Sequence, residues 1–464
     1  MVLHWKISLR GRSKAGIQYA KSLFRLTVTV STEQRLKSLA RKTVVPIRGE
    51  ITLPGDKSIS HRSIMIGALA KGITTVHGFL RGEDNFATVN AFRAMGVEIR
   101  DEIGILKIHG KGLHSLLEPS DVIDCGNSGT SMRLLTGLLA GQPFFSVLTG
   151  DRYLRNRPMK RILDPVGAMG AEIHGRAGGN KAPLAIIGRD LQGISYQSPI
   201  SSAQVKSSVV FAGLYASGET TVIEPHLSRD HTERMLCSFG ADIETLPGGV
   251  RVRGGRELQG QEITIPGDIS SAAFFIVATL IVPGSELLIK NVGVNPTRTG
   301  ILDILSAMGA TLQLLNYREL SGEPVADLLV RSAQLKGIEI CGELVPRSID
   351  EFPIICLAAA LAEGKTVIRD AGELRVKETD RIRAMAVNLG KAGVSVTESA
   401  DGMEIQGTDS LQGCRVDSFG DHRIAMSMLI AGLASGGGIT VNDPDCIATS
   451  FPDFIELLEK VTKS

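Results

Sequence analysis

At 464 residues the chain is too long for one hydrophobic core and suits two or three domains. Its 43% apolar and 22% charged residues are typical of globular proteins, whereas 4% aromatics are too few to stack the bases of single-stranded nucleic acid. The longest apolar run, 272–282, is too short to span a bilayer, so we expect no membrane association.

Residues 1–44 differ from the rest of the chain in charge. They hold ten Lys or Arg residues and one acid, Glu33, which leaves the remainder with 41 basic and 48 acidic residues, a net charge of −7. An acidic body argues against a nucleic-acid-binding surface. A transit peptide has the composition of this segment, but a start codon assigned too far upstream or an extension from cloning would look the same. A functional arm is the alternative, and we expect residues 1–44 to lie outside the fold.

Six stretches repeat one pattern along the remainder of the chain. Each opens with small and polar residues, continues through an apolar segment of about three helical turns, and ends at Gly before a β-branched run. The apolar segments predict buried helices, and the unpaired N–H groups of their first turns can bind phosphate or carboxylate. The stretches begin at Gly55, Cys125, Pro199, Gly267, Ile349 and Gly420.

A second element recurs between these stretches, namely an amphipathic helix that ends at Gly and is followed by a strand. Units of roughly 70 residues result, six in all, with three per domain. The sixth unit lacks the second strand and closes with a helix over 451–461. We expect helices at the centre of each domain and sheets outside. Parallel helices would direct their positive ends at a shared cleft. The second element occurs at 91–99, 165–173, 235–243, 304–312 and 388–396.

Three segments of the first half carry groups that suit anions. GDKSISHRS places Lys57, Ser58 and Arg62 at one helix start, and CGNSGTSMR is a Gly-rich loop that enters a helix near Gly129. GDRYLRNRPMKR holds five cations, which repel each other unless anions or acids neutralise them, and Arg157 is the best ligand candidate among them. A capped surface helix, a tight turn and a solvated charged face are the structural alternatives.

The second half adds candidates of both charges. Helix capping is the structural alternative for the carboxylate in IDEFP, and ion pairing is the alternative for the charges in RDHTERM and RVKETDRIR. The candidates are Ser202 and Gln204 in SSAQVKSS, Arg229 in RDHTERM, Asp350 in IDEFP, Lys377, Glu378 and Arg381 in RVKETDRIR, and Arg423 in GDHRIAMS.

The six cysteines form no CxxC pair, and free thiols in a reducing compartment, hence a cytoplasmic location, are expected. No HExxH motif or Cys/His cluster has metal-ligand spacing, so the sequence indicates no metal site.

Together the motifs resemble the 5-enolpyruvylshikimate-3-phosphate synthase family from about residue 45 to the C-terminus. LPGDKSISHR, GNSGTSMR, LRNRPM, ISSAQVKS, RVKETDR, GDHRIAMS and TSFPDF occur in that family's order, and SAQVKS and RVKETDR resemble its second sequence class. The resemblance implies an α/β (α+β) fold, namely a two-domain inverse α/β barrel of six βαβαββ units. Residues 45–55 plus 266–464 would form one domain (units 4–6), residues 56–265 the other (units 1–3), and the active site would lie between them.

The implied reaction transfers the enolpyruvyl group of phosphoenolpyruvate to the 5-hydroxyl of shikimate 3-phosphate and releases phosphate, a step toward chorismate and the aromatic amino acids. Asp350 would take the hydroxyl proton, Glu378 would manage the proton at the methylene carbon, and Lys57 would assist. The resemblance implies a monomer with two small-molecule substrates, no metal and no cofactor. Shikimate 3-phosphate would be held by Lys57, Ser58, Arg62, Ser202, Gln204, Arg229, Asp350 and Lys377. Phosphoenolpyruvate would be held by Lys57, Gly129, Arg157, Gln204, Arg381 and Arg423.

Two positions depart from the family pattern. Thr449 stands where many members carry Lys, and Ala203 stands where a second serine could donate to phosphate. Gly129 occupies the position at which Ala excludes glyphosate in some members, so we expect glyphosate to compete with phosphoenolpyruvate.

The UDP-N-acetylglucosamine enolpyruvyl transferase is the nearest rival, but it carries a loop cysteine that GDRYLRNRPM lacks. A nucleic-acid-processing protein on a related repeat fold is a more distant rival.

Overall fold

The structure, a computed structural model, describes residues 45–462. The expected N-terminal extension, 1–44, lies outside the described residues. The first half contains helices α1 Lys57–Leu69, α2 Glu83–Ala94, α3 Gly129–Ala140, α4 Lys160–Ala168, α5 Ala203–Gly213 and α6 His231–Ser238. Its strands are β1 Arg48–Thr52, β2 Ala70–His77, β3 Glu98–Glu102, β4 Ile105–Lys111, β5 Ile123–Asp124, β6 Phe145–Thr149, β7 Glu172–Arg176, β8 Lys181–Ile187, β9 Ser195–Gln197, β10 Glu219–Ile223, β11 Asp242–Leu246, β12 Gly249–Arg253, β13 Leu258–Gln259 and β14 Glu262–Thr264.

The second half continues the mixed α/β pattern. Its helices are α7 Ile269–Ile281, α8 Gly300–Ala307, α9 Leu344–Arg347, α10 Phe352–Ala360, α11 Arg381–Lys391, α12 His422–Ala431 and α13 Phe454–Thr462. Its strands are β15 Glu286–Gly293, β16 Leu312–Leu320, β17 Glu323–Arg331, β18 Glu339–Ile340, β19 Lys365–Ile368, β20 Ser395–Glu398, β21 Met403–Gln406, β22 Cys414–Asp417 and β23 Ile439–Asn442. Short 3₁₀ turns span Leu154–Asn156, Gly372–Val376, Gly432–Ala434 and Pro444–Thr449.

Most sheets of the described chain share one strand order. In each of these sheets a strand at one edge runs parallel to its neighbour, and the other three strands pair antiparallel. Of these three, the last in chain order lies in the middle, between the first and the second. This order holds for β5–β6–β8–β7, β9–β10–β12–β11, β1–β15–β17–β16 and β18–β19–β21–β20, and also for β13–β2–β4–β3 with β14 added beside β2. Only the parallel pair β22–β23 represents the last repeat, because α13 follows where further strands would lie.

Buried apolar side chains form two hydrophobic clusters. One comes from residues 59–265, and the other comes from residues 269–461 together with Ile47, Ile51 and Leu53. The predicted apolar helices lie inside them, α1, α3 and α5 in the first cluster and α7, α10 and α12 in the second. Every residue of α10 is buried. The prediction of buried helices is therefore confirmed. Within 45–462, no helix combines the length and apolarity that crossing a membrane requires.

The chain passes between the two clusters at two adjacent points. The N–H of Asp56 donates to the carbonyl of Pro266 at 2.8 Å, and the N–H of Asp268 donates to Pro54 at 3.1 Å. Gly55 is needed here, since a Cβ at this position would lie 1.9 Å from the carbonyl oxygen of Gly78. Asp56 caps α1 and Asp268 caps α7, so the pairing of the two passages sets these helix starts side by side.

Candidate functional site

A cavity of about 460 Å³ is lined by residues from two parts of the chain, 57–229 and 268–423. Helix starts surround it: Lys57 and Ser58 begin α1, Arg381 begins α11, and His422 and Arg423 begin α12. Residues at the starts of α3 and α5 also line it. The N-terminal ends of these helices carry partial positive charge, so the cavity is suited to anions.

Most of the predicted site residues line this one cavity, although they are spread over more than 360 positions of sequence. They are Lys57, Ser58, Arg157, Ser202, Gln204, Arg229, Asp350, Lys377, Glu378, Arg381 and Arg423.

Asp350 lies at the centre of a cluster of cations. Its Oδ1 is 3.5 Å from Nζ of Lys377 and 3.5 Å from Nη1 of Arg381, and its Oδ2 is 3.8 Å from Nη2 of Arg423. Arg229 donates to the same Oδ2. Burial alone would raise the pKa of Asp350, but these four cations hold it well below its ordinary value. The side chain is therefore an ionised carboxylate, and it pairs with Arg229 rather than capping α10.

Glu378 forms a second ionised centre on the same side of the cavity. Arg381 Nη2 donates to its Oε2 at 2.7 Å, and Arg157 Nη2 lies 3.3 Å from its Oε1. Burial opposes ionisation, yet Arg157 and Arg381 keep the pKa of Glu378 well below its ordinary value. Asp421 fixes Arg381 from behind, accepting from Nε at 2.8 Å. The acidic centre and its cations thus form one ordered network.

The lysines of the cavity differ in their partners. Lys57 Nζ lies 2.6 Å from Oδ2 of Asp84, a buried acid behind the cavity. Burial lowers the pKa of Lys377 to about 8, and the nearby Asp350 only partly offsets this. Burial also lowers the pKa of His422 well below its ordinary value, so its ring is neutral. Lys377 is therefore a cation of the cavity whose charge changes near physiological pH.

Arg62 and Gly129 are predicted site residues that do not line the cavity. The Arg62 guanidinium donates to Thr232 Oγ1 at 2.6 Å and Ser207 Oγ at 2.8 Å, and also to the Ser58 carbonyl at 3.0 Å. It thus supports the backbone of Ser58 from behind. Gly129 allows a close approach, because a Cβ there would lie 2.7 Å from Nη1 of Arg157.

Sequence reasoning missed several groups of the site. Arg298, which lines the cavity, lies 3.4 Å from both cap residues, Asp56 and Asp268, and so ties α1 to α7. Burial, together with the Asp56 charge, raises the pKa of Asp268 to about 6. The repeated GD opening of the stretches could have revealed Asp268. No local motif marks Arg298, since its role depends on two caps more than 200 residues apart.

Ion pairs join the lining residues of 57–229 to those of 268–423. Arg229 contacts Asp350, Arg157 contacts Glu378, and Arg161 Nη1 lies 2.5 Å from Oε2 of Glu373. Arg161 belongs to the loop GDRYLRNRPMKR with its five cations, but the sequence did not predict Glu373 as the partner of Arg161. Anions that enter the cavity can replace these carboxylates as partners of the cations.

The fold and the site define a class of protein, an α/β protein whose cavity is suited to small, multiply charged anions. The model of the EPSP synthase family (3-phosphoshikimate 1-carboxyvinyltransferase) matches residues 42–458. The chain therefore belongs to the EPSP synthase family and has the transferase activity that this family's description names.

Relatives with the name 3-phosphoshikimate 1-carboxyvinyltransferase match almost the whole chain. The protein of Geotalea uraniireducens is 74% identical over 420 residues, which is 90% of this chain and 98% of that protein. The protein of Geobacter sulfurreducens is 69% identical over 424 residues, covering 91% and 99%. The predicted family and activity are therefore confirmed.

Solved structures agree with this assignment. EPSP synthase from Acinetobacter baumannii is 49% identical with a TM-score of 0.80, over 90% of this chain and 96% of that one. The enolpyruvyl transferase NikO from Streptomyces tendae is 19% identical with a TM-score of 0.72, covering 90% and 95%, and shares the fold. The mixed α/β class predicted from the sequence is confirmed.

Proposed function

We propose that Asp350 is the base when this chain transfers the enolpyruvyl group of phosphoenolpyruvate to the 5-hydroxyl of shikimate 3-phosphate. One observation carries the assignment: Asp350 is an ionised carboxylate, surrounded by four cations, in a cavity that also presents hydroxyl and amide groups. Both substrates are multiply charged anions, and a hydroxyl nucleophile needs a base within reach.

We infer the finer architecture from the sheets and the clusters. The recurring strand order supports an inverse α/β barrel of six repeat units, with helices inside and sheets outside. The cluster limits support one domain of 45–55 plus 266–464 and another of 56–265, with the active site in the cleft. The resemblance to the family also implies a monomer. Buried free thiols at Cys125 and Cys356 favour a reducing compartment such as the cytoplasm.

The two substrates divide the cavity between them. Ser58, Ser202 and Arg229 suit the phosphate and hydroxyl groups of shikimate 3-phosphate, with Arg62 acting through the Ser58 backbone. Arg157, Arg381 and Arg423 suit the carboxylate and phosphate of phosphoenolpyruvate, because planar guanidinium groups bind both bidentately. Lys57, Gln204 and Lys377 lie where both substrates can meet.

Substrate binding prepares the two carboxylates for proton transfer. When anions take over Arg229, Arg381 and Arg157, Asp350 and Glu378 lose the positive charges that hold their pKa values down. Asp350 then becomes a stronger base toward the 5-hydroxyl, and Glu378 can carry the proton that it delivers to the methylene carbon.

The reaction follows by addition and elimination. Glu378 protonates the methylene carbon, the neighbouring carbon becomes electrophilic, and the 5-hydroxyl oxygen adds to it while its proton passes to Asp350. The tetrahedral adduct then loses phosphate, which takes up the proton held by Asp350, and a methyl proton returns to Glu378 to restore the double bond. Closure around the two anions excludes water and holds the reacting atoms in place.

We also infer that glyphosate inhibits this enzyme in competition with phosphoenolpyruvate. Because Gly129 has no side chain, the guanidinium group of Arg157 can lie against the start of α3. A Cβ at position 129 would lie 2.7 Å from Nη1 of Arg157 and would displace this guanidinium group. Inhibition by micromolar glyphosate at low phosphoenolpyruvate, relieved at high phosphoenolpyruvate, is the expected result. An unchanged rate would contradict the inference.

The test of the proposed function is phosphate release from phosphoenolpyruvate with each acceptor. Release that requires shikimate 3-phosphate, with the enolpyruvyl ether identified by mass spectrometry, is expected. UDP-N-acetylglucosamine serves as the control acceptor and should support none. Release with UDP-N-acetylglucosamine alone would overturn the proposal, and so would retention of RNA without any release.

A further inference from the structure

We propose that Arg133 is a positioning residue that fixes the side-chain amide of Gln204, so that the NH₂ group of Gln204 faces the anionic substrates. The inference rests on the proposed function, since it concerns how the cavity binds those anions. Arg133 lies on α3 and does not line the cavity.

The contacts of Arg133 join two parts of the cavity surface. Its Nη1 donates to Oε1 of Gln204 at 2.5 Å, and its Nη2 donates to the carbonyl of Pro158 at 3.2 Å. Gln204 lines the cavity at the start of α5, and Pro158 directly follows Arg157. One guanidinium group therefore holds both the amide and the loop that carries a predicted ligand.

The chemistry of the pair sets the orientation of the amide. A guanidinium group only donates hydrogen bonds, so it can hold the oxygen of Gln204 but not its nitrogen. The nitrogen is left to donate to Oγ1 of Thr130 at 3.1 Å, and Thr130 also lines the cavity. A flipped amide would present oxygen to a phosphate or carboxylate and repel it. Arg133 thus keeps a donor available for the substrates.

The surroundings of Arg133 argue against a purely structural role. Its side chain is 1% exposed, and no carboxylate of the described chain forms an ion pair with it. Its Nε has no hydrogen-bond partner among the described residues. Burial, with Arg157 and Arg161 nearby, lowers its pKa well below the ordinary value. An apolar side chain would cost less at such a position, so a requirement for directed donors explains the arginine better than packing does.

A double-mutant cycle tests the inference. The four proteins are wild type, Arg133→Met, Gln204→Ala and the double variant, and the readout is kcat/KM for phosphoenolpyruvate. We expect Arg133→Met to lower it on the order of tenfold in wild type, mostly through KM, because one charge-assisted hydrogen bond is lost. In the Gln204→Ala background the same change should cost about twofold or less, since the amide is absent.

Control variants separate orientation from general damage. Arg161→Met removes another cation of the cavity that has no hydrogen bond to Gln204, so its cost should be equal in both backgrounds. If Arg133→Met does not fold, as judged by thermal unfolding, Arg133→Gln replaces it in the cycle, since an amide can donate or accept and so does not dictate the orientation of Gln204. Equal costs of the Arg133 change in both backgrounds would overturn the inference while leaving the proposed function intact. A wild-type protein without turnover would instead overturn the proposed function.

Discussion

The two walls of the cavity differ in charge. One, the cationic wall, comprises the lining residues between 57 and 229, and the described residues there include hydroxyls, amides and cations but no acid. The other, the mixed wall, comprises the lining residues between 268 and 423. It adds further cations and all the carboxylates of the described lining, namely Asp268, Asp350, Asp370, Glu373 and Glu378.

This difference separates two tasks. Holding phosphates and carboxylates requires donors without competing negative charge, and the cationic wall supplies them. Moving protons requires carboxylates, which the mixed wall supplies together with cations that hold the pKa values of Asp350 and Glu378 down before substrates bind. Catalysis then needs both walls around the substrates, so that proton transfer starts only when the anions are bound.

Removing the base from the mixed wall should have the largest effect. Asp350→Ala should lower kcat by about 10³-fold, within the range for a lost general base. Both substrates should still bind, because four cations are released from the carboxylate. Phosphate release and calorimetric titration measure the two effects, with Asp350→Asn as the isosteric control. Turnover close to wild type would remove Asp350 from its role and erase the difference between the walls.

Removing a cation from the cationic wall should mainly impair binding. Lys57→Ala should lower kcat/KM for phosphoenolpyruvate on the order of 10²-fold, since it removes a charge contact and leaves Asp84 buried without its partner. Asp84→Asn, which keeps the cation, should cost far less. An unaltered Michaelis constant and rate in Lys57→Ala would contradict a binding role for this wall.

The pH dependence of the mixed wall offers a milder test. Lys377 has a pKa of about 8, so its ammonium group is present below that pH and is lost above it. Since anions bind the charged form, kcat/KM should fall up to about tenfold per pH unit above pH 8. Lys377→Arg stays charged, and this decline should disappear in a pH profile of that variant. A profile identical to wild type would show that another group titrates.

The pair that crosses between the walls at Arg161 and Glu373 should have the smallest effect. Their side chains are 18% and 37% exposed, so solvent screens the attraction to roughly 0.2–1 kcal/mol. Glu373→Gln should raise KM for both substrates about twofold to fivefold through weaker closure. The single variants Arg161→Glu and Glu373→Arg should each raise KM, and the double variant that carries both changes should recover part of that loss because the ion pair is restored with its charges exchanged. A KM of the double variant higher than that of either single variant would exclude a role of this pair in closure.

Much of the fold could be predicted from the sequence because its signals are local and repeated. Apolar segments behind small polar residues predicted the central helices, and a Gly stop before a β-branched run predicted the strands that follow. Motif order predicted Lys57, Asp350 and Glu378 as residues of one site. The structure brings these residues together without altering their local setting at helix starts and loops.

The amino-acid sequence by itself determined where helices start, which segments are buried and which motifs carry charge, because caps and periodicity act within a few residues. Tertiary structure alone decided the partners: Arg229 with Asp350, Arg161 with Glu373, Arg298 with two distant caps, and Arg133 with Gln204. It also turned Arg62 behind the cavity, onto Thr232 and Ser207. A side chain's partner depends on how separate helices pack and on which direction each points, and neither is encoded within a single motif.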